Sequence, residues 1–179
     1  MKRSYQLGTI LWVEDQWEIL ESWAYNISRS DSISQAFSQG KRLSIKTNET
    51  LTRLSEIEAE RTIEQIIVET KDQPTFLNLR TGQLARAYLE RITPGAILLD
   101  SDFPGGGYME VVRCLREQEM TNYPLISWTQ RDISELRPEI IELLGNPPRY
   151  IWKTGTKTEE LVEHLLFSRR YLEQTLPKP

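Results

Sequence analysis

The run Ala96-Ile97-Leu98-Leu99-Asp100 constrains the fold more than any other stretch of the chain. Four apolar residues end on an acid, and a turn with Pro104 and three consecutive glycines, Gly105 to Gly107, follows. A short apolar run closed by turn signals is the pattern of a strand buried on both faces. Strands of that kind lie in parallel sheets covered by helices, and open sheets of this type bind ligands at the carboxyl ends of their strands. Asp100 is therefore an acid at the mouth of a buried strand. The chemistry depends on what else converges there.

Other segments repeat the pattern. Thr9–Val13 reads as a strand ending on Glu14-Asp15, Phe76–Leu79 as a strand, Pro124–Trp128 as a strand ending on Thr129, and Tyr150–Trp152 as a strand ending on Lys153. Leu43 and Ile45 alternate with polar residues and could make a further short strand. Helical spacing of apolar residues marks Gln16–Ser28, Leu84–Leu89, Tyr108–Glu119, Pro138–Leu144 and a last helix carrying Leu161, Leu165, Leu172 and Leu176. Thr156 and Glu159 read as the capping box of that last helix. Thr93-Pro94-Gly95 reads as the close of the helix before the Asp100 strand, and Gly145 to Pro148 as the stop after Leu144. Ser30–Gly40 is weakly patterned. Leu51 to Ile67 suggests one or two amphipathic helices. Strands alternating with helices predict an α/β fold with a parallel sheet, in a single domain over 1–179.

Composition excludes several classes. The net charge of −4 offers no attraction for nucleic acid or a membrane surface. No stretch approaches the roughly 20 apolar residues of a membrane span. Cys114 stands alone, so no intrachain disulfide forms, which fits a reducing, cytoplasmic setting.

Right-handed crossovers put all parallel strand ends on one edge of the sheet. Glu14, Asp15, Asp100, Thr129 and Lys153 then meet as three carboxylates, one hydroxyl and one ammonium. Carboxylates in this number suit a hard divalent cation such as Mg²⁺. A carboxylate can also act as a nucleophile that accepts a phosphoryl group, with hydroxyl and ammonium groups holding the oxygens where charge builds.

The segments ILWVEDQ, ITPGAILLDSDFPGGGYMEVVRCLRE, YPLISWTQRD and YIWKTG occur in that order. With them the chain resembles the receiver domain of bacterial two-component response regulators, over residues 8–28 and about 75–175. The resemblance implies a flavodoxin-like, doubly wound, five-stranded parallel sheet of order 2-1-3-4-5. It makes Asp100 the phosphoacceptor. Glu14, Asp15, Asp100 and the backbone carbonyl of Asp102 become Mg²⁺ ligands, Thr129 and Lys153 the phosphoryl-contacting pair, and Tyr150 an aromatic switch. The implied function is a phosphorylation-dependent signalling switch in a phosphorelay. A sensor histidine kinase or phosphotransfer protein is the donor, a downstream protein receives the signal, and catalysis extends at most to phosphoryl acceptance and self-dephosphorylation. The chain departs from the family at Thr154, where proline is usual, at Gln130, where a small residue is usual, and at Tyr108, where glycine is usual.

Asp15 and Asp100 are 85 residues apart, whereas two βαβ units sharing a strand need roughly 50. With the second strand near Phe76, the extra residues are 29–72; with it at Leu43–Ile45, they fall in the following helix. The first placement predicts a helical protrusion for self-association, as a homodimer, or for partner docking. Two other functions compete. One is a pseudo-receiver that binds a partner without phosphorylation; the other is a phosphatase of the haloacid-dehalogenase type, suggested by Asp100-x-Asp102. Trp12, Trp128, Trp152 and Cys114 read as core residues, and His164 as a surface histidine.

Overall fold

The computed structural model describes residues 4–102, 107–120, 123, 125–144 and 149–176. Its strands are β1 (Ser4–Val13), β2 (Ser44–Asn48), β3 (Thr75–Leu79), β4 (Ile92–Asp100), β5 (Leu125–Thr129) and β6 (Tyr150–Trp152). Its helices are α1 (Trp17–Ser28), α2 (Asp31–Ser38), α3 (Glu56–Thr70), α4 (Gly82–Leu89), α5 (Tyr108–Glu117), α6 (Pro138–Leu144) and α7 (Thr158–Thr175). The turn expected at Pro104–Gly106 and the stop at Gly145–Pro148 lie outside the described residues.

The strands form one parallel sheet of order β2-β3-β1-β4-β5-β6. The expected five strands are thus six, and the order differs from 2-1-3-4-5 by the added edge strand β2. The α/β reading holds. Alternation along each strand divides the core in two. Leu11, Val13, Leu77, Leu79, Ile97 and Leu99 face α3, α4, α5 and α6 on one side. Ile10, Trp12, Phe76, Ala96, Leu98 and Trp128 face α1, α2 and α7 on the other.

The segment 29–72 holds α2, β2 and α3, and α3 does not protrude. Ile63 and Ile66 are buried in the first core cluster, with Leu54 and Ile67 packed against it. Adding β2 widens the sheet by one strand, and α3 packs beside α4 on the sheet face that carries Leu77 and Leu79. Only Leu51, Ile57 and Val68 of this region's large aliphatics stay exposed among the described residues, with Ile45 on the edge strand. Helix α3 starts at a capping box, where Ser55 accepts from the Glu58 N–H and Glu58 accepts from the Ser55 N–H. Weakly patterned Ser30–Gly40 contains α2, whose Ile33 and Phe37 are buried although polar residues surround them in sequence.

Two local expectations fail. Helix α7 begins at Thr158 with Lys157 before it and no side-chain cap, so Thr156 and Glu159 form no capping box. Thr93-Pro94-Gly95 lies inside β4 rather than closing α4. Proline has no N–H for the ladder, and Pro94 sits opposite Gln6 at the margin of a bulge, where the β1–β4 register shifts between Gln6 and Ile10 and the ladder is already interrupted. Gly95 is needed at the same place: an added Cβ would sit 2.2 Å from the Leu7 carbonyl oxygen.

From β1 the chain runs toward the β2 edge, and from β4 it runs toward the β6 edge. The direction reverses between β1 and β4, which opens a crevice at their carboxyl ends. Glu14 follows the last residue of β1, and Asp100 is the last residue of β4. Among the described residues no helix is long and apolar enough to cross a membrane.

Candidate phosphoryl and metal site

The crevice brings the strand-end groups together. Glu14 is fully buried, and Asp100 is 2% exposed. Lys153 Nζ lies 2.8 Å from Asp100 Oδ1 and 3.1 Å from Glu14 Oε2. Asp100 Oδ1 also accepts the Asp102 N–H at 2.8 Å, and Glu14 Oε1 accepts the Gln16 N–H at 3.2 Å. Glu14, Asp15 and Asp100 each offer a carboxylate oxygen within 4.8 Å of the others, a grouping that could hold a metal ion.

Three carboxylates around one ammonium leave an excess of negative charge in a poorly solvated place. Burial and the Asp100 charge push the Glu14 carboxyl up to about 8, against the pull of Lys153. Burial works against the charged form of Lys153, but the hydrogen bond and charge of Asp100, with Glu14, hold it above its ordinary value. Glu14 Oε2 is buried and accepts no well-formed hydrogen bond, although Lys153 is near. A buried carboxyl oxygen without a hydrogen bond, in a cluster of three acids whose mutual repulsion disfavours ionisation, is what a hard divalent cation relieves, so the donor set fits one.

Thr129 is fully buried, but its hydroxyl turns to Asp102, donating to Oδ2 at 3.3 Å. The same carboxylate accepts the Gln130 N–H at 2.7 Å and pairs with Arg131 Nε at 2.8 Å. Beside the backbone carbonyl of Asp102, which the resemblance makes a metal ligand, the Asp102 side chain holds three donors at the end of β5. Tyr150 is half-buried and packed against the first core cluster. Trp12 and Trp128 fill the core beneath the site in an edge-to-face pair 4.9 Å apart, while Trp152 is 39% exposed and fills no core. His164 is half-buried rather than a surface residue, and burial holds its imidazole below the ordinary value.

Sequence reasoning missed Arg80. Its Nε and Nη2 donate to the Asp15 carbonyl at 2.8 and 2.6 Å, with Glu18 and Glu49 nearby. It clamps the loop that carries Asp15. The signal was present, since Arg80 follows β3 as Lys153 follows β6. Gly82 begins α4 against the opposite side of the crevice, where a Cβ would stand 1.9 Å from the Gly107 carbonyl oxygen. Only glycine permits that contact.

In comparisons with known proteins, no family model, curated protein or solved structure matches the chain.

Proposed function

We propose that the protein is a receiver-like signalling switch that accepts a phosphoryl group on Asp100 with the help of Mg²⁺. The observation that carries this reading is the Lys153 ammonium held between Asp100 and Glu14, with Asp15 completing a metal-sized carboxylate group. An Asp100 oxygen attacks the phosphorus of a phosphohistidine or acyl phosphate. The new O–P bond replaces the donor's N–P or O–P bond; an imidazole leaving group takes up a proton from solvent, and an acyl donor leaves as its carboxylate. Lys153 stays charged and follows the transferred oxygens. A bound cation supplies charge neutralisation for those oxygens, held by Glu14, Asp15 and Asp100. Hydrolysis reverses the state: water attacks phosphorus, and the aspartate leaves as carboxylate. The flavodoxin-like description belongs to this reading, since removing β2 leaves the order expected of a receiver.

The pseudo-receiver reading has its own support. Asp102 occupies the Thr129 hydroxyl and the Gln130 N–H, donors that a phosphoryl group would need. The dehalogenase-type reading has less, because the Asp102 side chain that would serve as general acid is taken up by the Arg131 guanidinium, the Gln130 N–H and the Thr129 hydroxyl. Incubation with Mg²⁺ and acetyl phosphate or phosphoramidate, followed by intact mass, separates the readings. A gain of about 80 Da in wild type (one phosphoryl group), absent from Asp100→Asn, supports the switch. No gain at any Mg²⁺ concentration moves the assignment to the pseudo-receiver.

A further inference from the structure

We propose that a second site, at the opposite edge of the sheet, binds an organic anion with a flat apolar body and a phosphate or carboxylate head. A cavity of about 420 Å³ opens beside the first half of β1 and is walled by Phe37 and Lys41 from α2 and its exit, Thr70 and Pro74 around the end of α3, and Arg169 of α7. Its size lies in the range of small-molecule sites. The segment 29–72 supplies two of its walls, so the cavity exists because of that segment.

Arg169 decides the ligand chemistry. It lines the cavity, its side chain is mostly buried, and its Nη1 is paired with Glu173 Oε1 at 2.9 Å, which fixes the guanidinium in the wall. A guanidinium held in a cavity wall has a carboxylate or phosphate as its natural complement. Lys41 and Lys71 stand at the rim with Asp72 as the one acid of the lining, in a chain whose overall charge is −4. The β1 bulge leaves Leu7 and Gly8 without β4 partners, and both residues line the cavity. Tyr5, Leu7, Ala36, Phe37 and Pro74 give apolar and aromatic surface for the body of a ligand.

The site is separate from Asp100. Gly8 lines the cavity and Glu14 the crevice, six residues along one strand, about 20 Å apart. Phenyl phosphate and benzoate are the probes for the two head groups, with inorganic phosphate as head alone and benzyl alcohol as body alone, all without Mg²⁺. Calorimetric titration of the full chain is expected to show millimolar or tighter binding of at least one whole probe. Arg169→Gln should weaken it about tenfold or more (a charge-assisted bond lost), Lys41→Glu should weaken it, and Asp100→Asn should leave it unchanged. No binding of either whole probe up to about 10 mM overturns the proposal. So does binding that ignores both Arg169→Gln and Lys41→Glu, or that is lost in Asp100→Asn. If Arg169→Gln fails to fold, the exposed Lys41 variant decides alone.

Discussion

Lys153 reaches Asp100 across an intervening strand: its Nζ lies 2.8 Å from Asp100 Oδ1, although β5 separates β4 from β6. Two strand spacings are about 10 Å, which the four-carbon stem spans over the end of Thr129. The Lys153 N–H donates to the Thr129 carbonyl at 2.8 Å and fixes where that stem starts. Lys153 is thus the counterion of two buried carboxylates at once. Lys153→Met should cost about 3–5 kcal/mol in urea unfolding at pH 8, because it leaves buried charges without a partner. Unchanged stability would mean that the pair is solvated and the ammonium dispensable.

Glu14 makes stability fall with rising pH. Its carboxyl is pushed from 4.5 to about 8 in the folded state, so the native protein holds a proton that the unfolded chain releases. That contribution is complete below 4.5 and is lost as pH rises through about 8. Glu14→Gln should flatten the decline across this window, and Mg²⁺ should restore wild-type stability at pH 8 by favouring the ionised form. Melting temperatures at pH 5, 6.5 and 8, with and without Mg²⁺, measure both effects.

Arg80 should matter for metal affinity without touching the metal. Arg80→Gln releases the Asp15 carbonyl and the loop it fixes. Mg²⁺ titrations followed by Trp12 and Trp128 fluorescence should show several-fold weaker binding, on the scale of other outer-shell losses of about 10-fold or more. Asp15→Asn should abolish the response. Identical curves in wild type and Asp15→Asn would remove the metal site from the reading.

Asp102 acts as an internal anion that competes for the donors at the end of β5. Asp102→Ala frees the Thr129 hydroxyl, the Gln130 N–H and Arg131 together. Phosphorylation of Asp100 by acetyl phosphate should then speed up about 3–10-fold, roughly 1 kcal/mol off the barrier. A slower reaction would instead make the Asp102 carboxylate a helper of the transfer.

Segment 29–72 should be integral to the fold. Ile63→Ala, inside the first core cluster, should cost about 2–5 kcal/mol, whereas exposed Ile57→Ala should change stability by less than about 0.5 kcal/mol. Replacing the segment by a flexible linker should unfold or aggregate the chain, because it strips α3 and β2 from the sheet face that carries Leu77 and Leu79. A stable, monomeric product with a wild-type melting temperature would restore the picture of a dispensable protrusion.

The sequence alone determined the alternation of strands and helices, four of the chemical strand ends, and the buried character of β1, β4 and β5. Those signals are local: apolar periodicity and the polar residue that stops a strand act within a few positions. The tertiary structure decided who neighbours whom. Ser44–Asn48 has only Ile45 as an aliphatic, so its place as a sheet edge comes from pairing with β3, not from its own pattern. Pro94 and Gly95 read as a stop, yet they extend β4 because a bulge in a distant strand removes the conflict. The partner of Thr129 is Asp102 rather than a group on its own strand, and Arg80 holds Asp15 across 65 residues of chain. Such contacts depend on strand order and on where side chains meet at one edge, which no local periodicity encodes.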